Sequence, residues 1–290
     1  MAAFYNQAKL SYGGKEVYSN IVTAEITETL TLTKTALSSE YSPGDKVVYA
    51  VNAVNSGANA YTDLTFSDNL GAYTLGELSL TPLTYVADSL KYFVNGDPTA
   101  APTVSAGPPL SVTGINIPAN GNITLIYEAE ANSYAPPCAQ GSITNTASLS
   151  GCGISDLVSA TETVNAKTGS ALSISKSVSP EVLTGCSEVT YTILIQNTGG
   201  TAVTADESVI ISDTLNPILT SLNVYLNDTL LTAGTGYTYD LVSGEFATTQ
   251  GTITVPAATC TQNTETGVWT VTPGITALKL TGQIEKHNSR

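Results

Sequence analysis

The chain repeats itself, and the repeat limits what it can fold into. LTLTKTALSSEYSPGDKVVYAVNAVNSG (Leu30–Gly57) and LSISKSVSPEVLTGCSEVTYTILIQNTG (Leu172–Gly199) run in register, so that Lys34 matches Lys176 and Asn55 matches Asn197. FSDNL (Phe66–Leu70) and ISDTL (Ile211–Leu215) follow at nearly the same distance, and YFVNGD (Tyr92–Asp97) is echoed by YLNDT (Tyr225–Thr229). Two copies of one module account for most of the 290 residues. Such a period marks a duplicated folding unit.

Each copy reads as β structure. KVVYAVN (Lys46–Asn52), LIYEAEA (Leu125–Ala131), EVTYTILIQ (Glu188–Gln196) and VIIS (Val209–Ser212) are short, β-branched or aromatic, and bounded by Gly, Pro, Asn or Ser. Asn95-Gly96 and Asn120-Gly121 are turn signals between such runs. The expected class is all-β, with two tandem β-sandwich modules, the first over residues 27–165 and the second over 166–290. Residues 1–26 read as an N-terminal donor strand with its connector.

The pattern of a lysine, then PGD-x-V-x-Y, then N-x-G, S-D-x-L and I-T-N-T-A-S resembles the repeat domain of bacterial and archaeal surface proteins known as domain of unknown function eleven. The resemblance spans nearly the whole chain. It implies immunoglobulin-like modules strung along cell-surface or fibre proteins, some of them carrying a self-formed Lys–Asn isopeptide bond. It implies no enzyme activity on outside substrates.

Strand parity points to the same chemistry. Successive side chains face opposite sides of a strand, so Leu30, Leu32 and Lys34 share a face, as do Leu172, Ile174 and Lys176. By the same count Asp68 points with Phe66 and Leu70, and Asp213 with Ile211 and Leu215. In ITNTASL, Asn145 goes with Ile143, Ala147 and Leu149. A Lys, an Asp and an Asn are thus predicted inside one apolar core, where isolated charges are too costly unless they meet. Burial lowers a lysine pKa and raises that of a carboxyl, so the amine can attack the carboxamide while the acid shuttles the proton. Lys34 and Asn145 are the expected pair in the first module, with Asp68 as the assisting acid. The bland reading is a hydrogen-bonded Lys–Asp pair with a neighbouring Asn.

The second module shows a gap. Its strand GITALKLTGQI (Gly274–Ile284) matches GNITLIYEAEA (Gly121–Ala131), and no counterpart of ITNTASL follows. FYNQAKLSYGG (Phe4–Gly14) aligns instead with ITNTASLSGCG (Ile143–Gly153), pairing Asn6 with Asn145, Ala8 with Ala147 and Leu10 with Leu149. Phe4, Asn6, Ala8 and Leu10 also share a face. The expectation is that this strand fills the second module of a neighbouring subunit, joining Asn6 to that subunit's Lys176 with Asp213 assisting. A head-to-tail, non-closing contact builds a filament. Insertion into the same chain is the competing arrangement.

Composition narrows the function classes. Ten basic against 24 acidic residues, a formal charge of −14 and no Lys/Arg run argue against a nucleic-acid partner. No apolar run is long enough to span a bilayer, and Met1–Leu10 lacks the pattern of a secretory signal. Cys138, Cys152, Cys186 and Cys260 show neither CxxC spacing nor nearby histidine, so no metal site and no cofactor are expected; the four are candidates for disulfides, with the pairing open. His287 is the only histidine, which leaves no serine triad. Asp206-Glu207 lacks a calcium-loop context, and Tyr225 and Tyr237–Tyr239 read as sheet tyrosines before they read as a ligand patch.

The expected function is a self-assembling fibre subunit outside the cell or on a spore, with anchor and tip partners and export route unidentified. An adhesin whose modules serve as stalks is the alternative.

Overall fold

The computed structural model describes residues 2–26, 29–154, 157–182 and 187–284. It is all-β, and among these residues the only helical element is one 3-10 turn, Ala205–Glu207. The chain divides into two compact units, one of residues 1–135 with 142–165 and one of 136–141 with 166–290. Residues 136–141 thus pack with the second unit, although their sequence lies inside the first module.

In the first unit one antiparallel sheet runs, in order, Asp97–Thr99, Lys91–Val94, Gly121–Ala131, Lys46–Asn55 and Leu30–Ala36. The other runs Thr103–Ser105, Leu110–Ile117, Tyr61–Asp68, Ser142–Ser150, Val158–Ala166 and Glu40–Tyr41. Leu30–Ala36, Tyr61–Asp68 and Ser142–Ser150 are called here the lysine, aspartate and asparagine strands. Alternation explains the layering: Val47, Tyr49, Val51 and Ala53 are buried on one side of their strand, and Ile123, Leu125, Tyr127 and Ala129 on the next. Phe66, Leu64, Ile143 and Leu149 close the core from the second sheet.

The second unit repeats the first sheet with Leu172–Ser179, Glu188–Asn197, Gly274–Ile284, Leu219–Leu226 and Thr229–Leu230. Its other main sheet is smaller, Ser212–Thr214, Glu245–Thr248 and Tyr237–Tyr239. Val189, Ile193, Phe246, Leu278 and Leu280 lie in its core.

The N-x-G element of the repeat is structural. Asn55 Nδ2 donates to the carbonyls of Asn59 (2.8 Å) and Pro118 (2.9 Å), while its Oδ1 accepts from Gly57 N–H (2.9 Å). Asn197 does the same with Thr201 (2.7 Å), Pro256 (3.1 Å) and Gly199 (2.9 Å). A Cβ on Gly199 would come within 2.2 Å of the Gly169 carbonyl, which fixes glycine there. Each buried amide satisfies backbone groups at a corner that no ladder reaches.

Residues 2–26 differ from the expected strand and connector. Ala2–Asn6 pairs with Val22–Ile26, and Lys9–Tyr12 with Lys15–Tyr18, so the segment is a hairpin whose second half is a return arm. The cause is Gly13-Gly14, both at positive φ (51° and 76°), a two-residue turn matched to the twist of the flanking strands.

Candidate functional site

The first unit buries a lysine, an aspartate and an asparagine together. Ala147 of the asparagine strand lies opposite Asp68 of the aspartate strand, which sets Asn145 two residues along on the same inward face. Lys34 enters from the facing sheet. Asp68 and Asn145 are fully buried and Lys34 nearly so.

Lys34 Nζ donates to Asp68 Oδ2 and lies 4.6 Å from the Tyr49 ring centre and 5.9 Å from that of Tyr127. The Tyr127 hydroxyl donates to the same carboxylate oxygen, and Leu70 N–H donates to Asp68 Oδ1 at 2.9 Å. Gly71 N–H donates to Asn145 Oδ1 at 3.2 Å. A Cβ on Gly71 would stand 2.4 Å from Ile143 Cγ2, so only glycine brings this N–H so close to the asparagine strand.

The electrostatics are those of a poised amine. Burial pulls the Lys34 ammonium down from 10.5 to about 8, against the opposing pull of Asp68 and a smaller one from Glu162. Burial also raises the Tyr127 and Tyr49 hydroxyls well above the usual phenol value. Two buried polar atoms here lack a hydrogen bond of good geometry, Asn145 Nδ2 and the Tyr49 hydroxyl, although the asparagine and tyrosine side chains lie within electrostatic reach. An unsatisfied buried amide is costly and calls for a reason. The arrangement has the parts for amide exchange: an amine with a depressed pKa, a carboxylate on that amine, and a backbone donor on the carboxamide oxygen.

The second unit carries two of these three groups. Lys176 Nζ donates to Asp213 Oδ2 and stands 4.6 Å from the Tyr191 ring centre, and Thr214 N–H donates to Asp213 Oδ1 at 2.9 Å. Parity predicted a lysine pointing into a core, and the structure corrects this. The Lys176 side chain is 40% exposed, and Leu172 and Ile174 on its face are exposed as well. Nothing covers that face because Ser212–Thr214, the strand of Asp213, pairs only with Glu245–Thr248 among the described residues. The slot that Ser142–Ser150 fills beside Asp68 is open beside Asp213.

Asn6 lies in the hairpin, which among the described residues forms two-stranded sheets of its own, Ala2–Asn6 with Val22–Ile26 and Lys9–Tyr12 with Lys15–Tyr18. Its backbone pairs Asn6 with Val22 and Phe4 with Ala24. Ala8 and Leu10 are exposed, as are Val17 and Val22 opposite them or nearby.

Cys138 and Cys260 form a disulfide within the second unit; Cys152 is free and exposed, and Cys186 lies outside the described residues. The sequence left this pairing open, because Cys138 reaches Cys260 only through the folding of 136–141 onto the second unit. His287 also lies outside the described residues. Asp206 and Glu207 sit in the 3-10 turn, where Glu207 accepts from Thr204 N–H at 2.8 Å. Tyr237 is buried against Phe246, and the Tyr239 hydroxyl caps Leu219 N–H at 2.8 Å, so these tyrosines are structural. Among the described residues no group of His, Cys, Asp and Glu could hold a metal ion, and no helix is long and apolar enough to cross a membrane.

No protein-family model matches the chain, and no curated protein matches it, so the repeat-domain resemblance stands on its motifs alone. Solved structures to which the chain is similar include surface adhesin domains and pilins, a bacterial hydrophobin and two enzymes. The major pilin subunit BcpA of Bacillus cereus is 10% identical with a TM-score of 0.36, over 98% of this chain and 83% of that one. The C-terminal fragment of a major pilin of Streptococcus agalactiae is 13% identical with a TM-score of 0.34, over 78% of each chain. The collagen-binding domain of a Staphylococcus aureus adhesin is 16% identical with a TM-score of 0.30, over 48% of this chain and 99% of that one.

Proposed function

We propose that the chain is the structural subunit of an extracellular fibre, polymerising head to tail. The outgoing arm of one subunit's hairpin fills the open slot beside Asp213 in the second unit of the next, and Asn6 is then joined to Lys176. Within the first unit Lys34 is joined to Asn145. In each case the lysine Nζ attacks the asparagine Cγ, the C–N bond to the carboxamide nitrogen breaks, and ammonia leaves. Asp68 or Asp213 takes the amine proton and returns it to the departing nitrogen. One observation carries the reading: the Lys34–Asp68 pair recurs as Lys176–Asp213, with the asparagine and its strand absent from the second unit's described residues. Holding the groups in contact supplies the effective concentration that so slow an exchange needs.

Denaturing electrophoresis and intact-mass analysis of boiled, reduced protein test this on the natural chain, Asn6→Ala and Lys176→Ala. The expected result is a ladder of resistant multimers, lost in either variant, with one ammonia missing per bond. A monomer band missing two ammonias would mean closure within one chain. A monomer with no mass loss would return both Lys–Asp pairs to simple ion pairs.

A further inference from the structure

We infer that the donor is the whole hairpin, residues 2–26, docking as a two-stranded unit so that its return arm becomes the outer strand of the neighbour's second unit. This rests on the fibre reading above and adds a second strand to the joint.

The first unit shows the arrangement within one chain. Its asparagine strand is held on one side by the aspartate strand, Ala147 opposite Asp68, and on the other by Val158–Ala166, with Asn145 opposite Glu162 and Leu149 opposite Val158. The hairpin holds the counterpart of the second pairing, with Asn6 opposite Val22 and Leu10 opposite Val17, and one extra residue on the return arm between them. Both hairpins lead into the lysine strand of the module that follows in sequence.

The free edge has the right phase. Thr146 turns its carbonyl toward the aspartate-strand side, where Asn69 N–H donates to it at 3.0 Å. In the hairpin Ala8, the match of Ala147, bonds the return arm: its carbonyl accepts from Ser19 N–H and its N–H donates to Ser19 Oγ, both at 2.9 Å. Gln7, the match of Thr146, donates its side-chain Nε2 to the Ser19 carbonyl at 2.8 Å but makes no backbone hydrogen bond to the return arm among the described residues, which leaves its N–H and C=O for a neighbouring strand. The arm can therefore dock beside Asp213 without releasing its own partner. The apolar content agrees. Leu149 is fully buried in the first unit, whereas its match Leu10 is 62% exposed, and Val22 beside it on the return arm is 56% exposed. Exposed residues of this kind on an unpaired strand edge seek a sheet.

The docked return arm would place Val22 where Glu162 stands, and Glu162 acts electrostatically on Lys34. Val22 would thus face the Lys176 pocket.

The test locks the hairpin. Ser11 and Glu16 lie opposite one another and point away from the inward face, so Ser11→Cys with Glu16→Cys, in a background of Cys152→Ser and Cys186→Ser, can be closed by oxidation. The expected result is that the oxidised protein forms the resistant ladder as fully as its reduced form. An oxidised protein that stays monomeric while the reduced form polymerises would mean that the strand enters alone, and would overturn the inference while leaving the fibre reading intact. Two further variants read the return arm directly. Val22→Lys slows ladder growth severalfold by setting a second positive charge beside Lys176, while Val22→Glu does not; equal rates for the two would overturn the inference. Absence of any ladder from the natural chain would remove the fibre reading itself, and this inference with it.

Discussion

Leu280 occupies in the second unit the position that Tyr127 occupies in the first. Tyr127 lies across the sheet from Tyr49, and Leu280 across from Tyr191. The hydroxyl that Tyr127 places on Asp68 therefore has no counterpart on Asp213 from that strand. Tyr127→Phe removes one charge-assisted hydrogen bond from the shuttling carboxylate, and such bonds contribute about 1.5–3 kcal/mol. Cross-linking of the first unit should slow by about tenfold or more, read as ammonia loss against time after refolding, with no change in the Asn6–Lys176 joint. An unchanged rate would mean that Asp68 needs no help from Tyr127.

Removing the acid and removing the amide have different costs. Asp68→Ala abolishes the first bond and leaves Lys34 buried without its partner, a loss on the order of 3–5 kcal/mol. Asn145→Ala abolishes the bond but keeps the ion pair, so its first unit should melt well above that of Asp68→Ala. Differential scanning calorimetry of the two variants orders them, and equal melting would contradict the pairing described here.

The pH dependence follows from the Lys34 amine, held near 8. Below that value the neutral fraction grows roughly tenfold per pH unit, and above it the fraction saturates. Bond formation in the first unit should climb from pH 6 to 8 and level off beyond. A flat profile over that range would exclude the neutral amine as nucleophile. In Asn145→Ala, where no bond forms, folded Lys34 gives up its proton near 8 while the unfolded residue holds it to about 10.5. The unfolded chain then binds more protons, so this group makes stability rise with pH above about 8. Near pH 10 and beyond the raised hydroxyls of Tyr49 and Tyr127 act in the opposite sense, since there the folded chain keeps protons that the unfolded chain loses.

The proposed joint has a definite register. If Asn6 takes the place of Asn145, Ala8 falls opposite Asp213 and Lys9 opposite Ser212, as Ala147 and Ser148 fall opposite Asp68 and Ser67. A Lys9→Cys chain mixed with a Ser212→Cys chain, both without Cys152 and Cys186, should give a mixed disulfide dimer on mild oxidation. Moving the first cysteine to Tyr12 should not. Equal yields from both positions would deny the register.

Cys138–Cys260 joins two parts of the second unit across a sequence separation of 122, a span that includes residues 142–165 of the first unit. Cys260→Ser should cost that unit about 2–4 kcal/mol, by freeing the unfolded chain from the closed loop. Urea titration followed by Trp269 fluorescence reads the second unit alone, because this is the only tryptophan. An unmoved midpoint would show that packing of 136–141 suffices without the bond.

Much of this was legible in the sequence because strands have a period of two. Parity put Lys34, Asp68 and Asn145 on inward faces, and all three are buried together. Parity names a face but not what covers it, and the same count therefore missed that Lys176 is open to solvent. The return arm was missed because the match to ITNTASLSGCG stops at Gly14, whereas two glycines at positive φ turn the chain back into a hairpin. Tyr127 and Gly71 gave no signal, since their roles arise only across a sheet or through a backbone N–H. The disulfide was hidden for a similar reason, being set by long-range folding.

Lys34 and Asn145 sit on strands near opposite ends of the first unit's sequence, and this has a mechanical consequence. With both amide bonds made, tension along a fibre enters at Asn6, follows the backbone to Lys34, crosses directly to Asn145, and runs on to Lys176 and Asn6 of the next subunit. Residues 35–144, and the chain beyond 176, then hang beside the load path as slack. Their unfolding would not lengthen the fibre, whose extensibility is set by residues 6–34 and 145–176 alone.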